Sequence, residues 1–256
     1  MGDHTTWFHL LPGWDNFESW ASHYLQRQWR WEMFKDTHFT MTHVVISAFI
    51  VVLLIVFAFV YKSRVSGEQQ DRLIPERKLG TRNIFEMIMD ATLSIAEGVM
   101  GRQKAERYFP LFGTLGFFIL FNNLIGLIPG FVPATDTLKT NLALSVLVFV
   151  LTHVFGVMEH GLPYFKHFAG PLWYLAWLMI PIEIISHIAR PVSLSLRLMG
   201  NIFADHKVVV AFFMLVPILV PVPFLILGVL VCTVQTLVFT LLSMVYIDMA
   251  VAHEEH

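Results

Sequence analysis

The chain has 256 residues, of which 56% are hydrophobic and only 14% charged, with 23 phenylalanines. Soluble domains carry about 25% charged residues, so this composition is that of a protein built against a bilayer. A net charge of −2 argues against nucleic-acid binding, and the single cysteine, Cys232, excludes a disulfide framework or a thiolate metal cluster.

Residues 1–41 are polar and aromatic, with Trp7, Trp14, Trp20, Trp29 and Trp31. Tryptophan favours the membrane–water boundary, so this stretch reads as an interfacial arm preceding a membrane-embedded domain over 42–256. No basic segment followed by an apolar run opens the chain, and no cleavable signal peptide is expected. Residues 43–61 are uncharged and long enough to span. Residues 62–109 then hold nine of the 17 Lys and Arg, against three in the N-terminal arm. The positive-inside rule therefore puts the N-terminus outside and, after five membrane passages, the C-terminus in the cytoplasm.

Between 82 and 101, Ile84, Met87, Ile88, Ala91, Ile95 and Val99 recur at helical spacing, predicting an amphipathic helix on the membrane surface or against a partner. Residues 110–128 form a second span ended by Pro129-Gly130, and Asn141 to Val157 a third. Pro163, Gly170 and Pro171 interrupt the chain before a nearly continuous apolar stretch from Leu172 to Ile247. Pro217, Pro221 and Pro223 predict a turn within it, giving a hairpin of two long, tilted helices. The expected fold is an all-α polytopic membrane protein, with about five membrane-embedded helices and one surface helix.

Polar residues punctuate the first arm of that hairpin. At about 100° per residue, Glu183, His187, Arg190, Arg197 and Asn201 share one broad stripe, with Pro191 expected to disturb its register. His206 falls on the other side. A guanidinium stays charged in proteins, and at the bilayer centre it costs about 3 kcal/mol on insertion scales. Arg197 therefore points to an anion or a wet cavity; the plainer reading pairs it with Glu183 or lets it snorkel. His187 and Gln235 could equally be interhelical hydrogen-bonding glue, and Ser193, Ser195, Gly200 and Ala204 would let another helix approach Arg197. His153, His160 and His167 step by seven in a manner suggestive of haem ligation, but Pro163 interrupts them. Ser193 and Ser195 lack a base, and no GxSxG elbow occurs.

The run 193–206, Ser-Leu-Ser-Leu-Arg-Leu-Met-Gly-Asn-Ile-Phe-Ala-Asp-His, closely resembles the signature of subunit a of F-type ATP synthase. Tyr108 to Leu111, Phe121 to Leu124 and Thr233 to Phe239 extend the resemblance over most of 40–256. It implies a multi-pass protein of a bacterial inner membrane, without a catalytic site or cofactor of its own. The partners implied are a rotating ring of small c-type proteolipids, peripheral-stalk b subunits and the lipid bilayer, with H⁺ or Na⁺ as the only small substrate.

By the same resemblance Arg197 matches the essential arginine, which would force ionisation of a ring carboxylate and stop leakage between two half-channels. Asn201 and Gln235 match polar neighbours of that arginine, His206 a position tied to outer-side proton access, and Glu183 an acidic position. Gly228 departs from the pattern, since many members carry His or Glu there. The outer pathway is then expected to use Glu183, Asp205, His206 and water. The competing reading is a self-contained secondary transporter, which normally shows paired repeats with broken helices.

Overall fold

The computed structural model describes residues 12–25, 42–65, 81–128, 130–161, 164, 176–215 and 221–252. Its helices are α1 (Trp14–Leu25), α2 (Thr42–Val65), α3 (Thr81–Met100), α4 (Arg102–Ile125), α5 (Leu138–His160), α6 (Ala176–Leu215) and α7 (Pro221–Val251). A short 3₁₀ turn, Ala134–Asp136, lies between α4 and α5. Trp7, Trp29, Trp31, Pro129, Pro163, His167, Gly170, Pro171 and Pro217 fall outside the described residues.

Stretches within α2, α4, α5 and α7 are long and apolar enough to cross a membrane. The fifth long helix, α6, is interrupted by Glu183, Arg190, Arg197, Asp205 and Lys207. Its 40 residues rise about 60 Å, twice the roughly 30 Å hydrocarbon core, so a membrane-embedded course requires tilt or ends that extend beyond the core. The all-α polytopic architecture and the closing α6–α7 hairpin are as the sequence predicts. Pro221 and Pro223 stand in the first turn of α7, where a missing N–H leaves no carbonyl unpaired.

Two elements differ from expectation. Helix α4 begins eight residues before the predicted span and runs through Pro110. Its charged first turns are held by ion pairs, Arg102 to Glu106 (3.0 Å), Lys104 to Asp248 (3.0 Å) and Arg107 to Glu159 (3.2 Å). Helix α6 likewise passes through Pro181 and Pro191 without a break. The register disturbance expected at Pro191 does not interrupt the helix, and Pro191 is itself buried.

Helix α4 sits at the centre. Its Ala105, Tyr108 and Phe112 pack with Ala96 and Met100 of α3 and with Met244, Ile247 and Val251 of α7. Further along, Leu115 and Ile119 meet Val148 of α5, Leu194, Leu198 and Ile202 of α6, and Phe239 of α7. Helix α3 therefore faces a protein partner within the chain, through Ala96 and Met100 with Leu93 and, from the predicted stripe, Ile95 and Val99. Met87 and Ala91 of the predicted apolar stripe point outward instead. Helix α2 flanks the bundle, joined through Ile46, Ile50 and a contact between the Phe57 and Phe121 rings, whose centres are 5.9 Å apart.

Candidate functional site

The buried side of α6 is apolar around its middle, with Leu194, Leu198 and Ile202 turned to α4, α5 and α7. Ser193, Arg197, Gly200 and Ala204 lie on the other side and are exposed. Among the described residues no hydrogen bond or ion pair reaches Arg197. Glu183 does not supply one: its Oε1 pairs with His187 Nε2 at 3.1 Å, fourteen residues and about 21 Å of helix away. The reading that Arg197 is paired with Glu183 is therefore overturned. A Cβ built on Gly200 would meet nothing within 4 Å, so the face beside Arg197 is open. Ser195, by contrast, is buried and donates to the Val192 carbonyl at 3.0 Å, so it does not belong to that face.

One turn beyond Arg197, Asn201 Nδ2 donates to Gln235 Oε1 of α7 at 2.7 Å. Gln235 is buried, and its Nε2 has no partner among the described residues. That leaves an amide donor directed into the interior next to Arg197's turn of the helix. Thr236, the next residue, begins a polar run. Asn123 Nδ2 approaches Thr236 Oγ1 at 3.5 Å, Thr135 Oγ1 donates to Asn123 Oδ1 at 2.7 Å, and Asn141 Nδ2 donates to the Thr135 carbonyl at 2.6 Å. The Oδ1 atoms of Asn122 and Asn141 are buried without partners among the described residues. Buried polar atoms left this way are where ordered water is needed.

Another turn along α6, half-buried Asp205 reaches across to Gly228 of α7. A Cβ added at Gly228 would stand 2.9 Å from Asp205 Oδ2 and 2.6 Å from Leu127 Cδ2. The carboxylate thus fills the space that a side chain at 228 would take. His206 is half-buried beside it and interacts with it electrostatically.

Glu183 does not join Asp205 and His206, as the expected outer pathway required. It stands near the opposite end of α6, in a cluster with His187, His153 of α5 and Tyr164. The His187 and His153 rings are 5.1 Å apart, and His153 Nδ1 is 2.8 Å from the Tyr164 hydroxyl. Burial pushes the Tyr164 phenol above its ordinary range, so the hydroxyl stays protonated. The predicted stripe thus divides in space: its start faces α5, Asn201 bonds to α7, and Arg197 at its margin opens outward.

Residues 43–248 match the family model described as ATP synthase A chain. The chain belongs to that family. It is 50% identical over 207 residues to ATP synthase subunit a 1 of Syntrophotalea carbinolica, covering 81% of this chain and 84% of that one. ATP synthase subunit a of Bdellovibrio bacteriovorus is 47% identical over 189 residues, 73% of this chain and 82% of the relative. The Sorangium cellulosum subunit a is 44% identical over 211 residues, covering 81% and 83%.

As an ATP synthase A chain, the protein is a helical membrane component of the proton-translocating sector of an ATP synthase. Several polar groups in its interior were not singled out from the sequence as site residues. Thr135 and Asn141 carry no motif, and Asn122, Asn123 and Thr236 lie in segments that extend the resemblance without being given a role. The signal that could have found them is that rule alone: an amide in hydrocarbon needs a partner or water.

Proposed function

We propose that the chain is the stator subunit of a rotary ATP synthase, offering two proton half-channels to a turning ring of small proteolipids. Arg197 forces each arriving ring carboxylate to ionise and blocks direct passage between the half-channels. The observation that carries this reading is Arg197 itself: a permanent cation, exposed in mid-helix, with no partner from its own chain among the described residues. Such a charge is costly in lipid, and an anion supplied by a neighbour removes the cost.

The remaining groups divide between the two access routes. Asp205 and His206, with Gln235 and Asn201 between them and Arg197, form the route from the side where α6 ends. Glu183 belongs to the route on the side where α6 begins. With the basic 62–109 segment in the cytoplasm, the N-terminus outside and the C-terminus cytoplasmic, the first route is the outer one. The chain contributes conduction rather than catalysis, takes H⁺ or Na⁺ as its only small substrate, and is held still by peripheral-stalk b subunits. Residues 1–41 form the interfacial arm of a membrane domain over 42–256. A charge crossing the full field releases about 2.3 kcal/mol per 100 mV, which turns the ring.

The open face beside Arg197 supplies a test. Gly200→Leu places a side chain in empty space, so the fold of the isolated chain is expected to persist. A rotor running against this face is blocked by it. Helix content and expression at wild-type level, with proton-driven ATP synthesis lost, are the expected results. Full synthesis by the Gly200→Leu variant would contradict a rotor at this face.

A further inference from the structure

A cavity of about 330 Å³ opens where α5 ends and α6 begins, lined by His160, Tyr164, Glu183, His187, Arg190 and Tyr246 among others. Inward of it lies a small pocket of about 10 Å³, room for roughly one water. The two share Thr152, His187, Arg190 and Tyr246, and the inner pocket is also lined by Ser145, His153 and Leu194. Leu194 stands one helical turn from Arg197. Titratable groups and space for water therefore run along the buried side of α6 as far as Leu194, whose turn of the helix leads to Arg197.

We propose that His187 and His153, with Glu183 and Tyr164, form a proton-exchange site that loads and unloads the half-channel at this end of the chain. The proposal rests on the reading of the chain as a proton conductor. Imidazole is the side chain whose ordinary range lets it take up and release protons near neutrality. His187 accepts a proton on one ring nitrogen and gives one up from the other, ending neutral with its tautomer reversed. Glu183, 3.1 Å from Nε2, stabilises the transient imidazolium. His153, with its ring 5.1 Å away and its Nδ1 2.8 Å from the Tyr164 hydroxyl, receives or returns the proton through water.

Among the described residues, the charged and titratable groups facing His187 come from several elements. Glu183 and Arg190 are on α6, His153 and His160 on α5, Tyr246 on α7, and Tyr164 on the segment after α5. Arg190, held over the Tyr246 ring at 5.3 Å, is a fixed cation beside the imidazoles. A purely structural cluster would need the hydrogen bonds but neither the open cavity nor the exchangeable protons.

The test uses the assembled ATP synthase in vesicles, with ATP-driven proton pumping and passive flux through the membrane sector measured between about pH 6 and 8. His187→Gln keeps an amide donor for Glu183 but carries no proton; flux is expected to fall by on the order of tenfold and to lose its pH dependence. His187→Ala opens space beside the cavity, and added imidazole is expected to restore its flux. Wild-type flux in His187→Gln overturns the proposal, as does a His187→Ala enzyme that imidazole leaves unrestored. Should His187→Ala fail to assemble, His187→Gln with its pH profile decides alone. Arg197→Ala run beside them separates the two readings: its retaining coupled flux overturns the conductor, whereas wild-type behaviour of the His187 variants alone overturns only the exchange site.

Discussion

Arg197→Ala is expected to leave the complex assembled and to abolish proton-driven ATP synthesis. Assembly survives because Arg197 is exposed and bonds to nothing else among the described residues, while Leu194, Leu198 and Ile202 hold α6 in the bundle. Function is lost because the ring carboxylate no longer meets a cation. At an effective dielectric of 20 and a separation of 4 Å, that cation favours the ionised carboxylate by about 4 kcal/mol, about a thousandfold in population. Synthesis is expected to drop by a comparable factor, and membranes carrying the variant are expected to leak protons between the half-channels. Arg197→Lys keeps the charge but not the planar, always-ionised fork, and is expected to recover only part of the coupling. The measurement is ATP synthesis in inverted vesicles under an imposed proton gradient, with co-purification of the ring as the control for assembly. Normal synthesis in Arg197→Ala would remove the basis of the account.

The second large effect is expected at Gly228. A histidine there must displace Asp205 or Leu127, since even its Cβ would stand 2.9 Å from Asp205 Oδ2 and 2.6 Å from Leu127 Cδ2. Overpacking of this kind typically costs about 1–3 kcal/mol. It also moves the carboxylate that we place on the outer route, so Gly228→His alone is expected to lower proton flux about tenfold or more. Asp205→Gly alone removes the titratable group and is expected to be similarly impaired. The double variant vacates the space and returns a titratable group from the other helix, so flux is expected to recover strongly. Such coupling is a non-additive double-mutant cycle between contacting residues. Independent, additive losses would mean that the two positions do not share one task.

Much of this was legible in the chain because the bilayer limits what a membrane segment can be. The spans within α2, α4, α5 and α7 follow from run length and hydropathy, and the α6–α7 hairpin from the Pro217, Pro221 and Pro223 cluster. The arginine stood out because a charge in that setting requires a reason. What escaped depends on partners distant in sequence. The early start of α4 is held by Asp248 and Glu159, far along the chain. Helix α3 shows an apolar period, but only its neighbours α4 and α7 select Leu93, Ala96 and Met100 over Met87 and Ala91.

The site divides in the same way. Glu183 and Asp205 were expected on a common pathway, yet twenty-two residues of helix separate them by about 33 Å. Gly228 read only as a departure from the family pattern, because the group that fills its space, Asp205, comes from the other helix. The His153–Tyr164 contact joins α5 to the segment beyond it, and no spacing rule foresees it.

The central claim is that Arg197 finds its counter-charge on a neighbour that moves past it. A structure of the assembled membrane sector in lipid, read at the guanidinium, tests this most directly. The expected result is a proteolipid carboxylate facing Arg197 within about 4–6 Å, directly or through one water, as the nearest acid. An acid of the same chain bonded to Arg197, with the face of Ser193, Gly200 and Ala204 covered only by lipid, would contradict it.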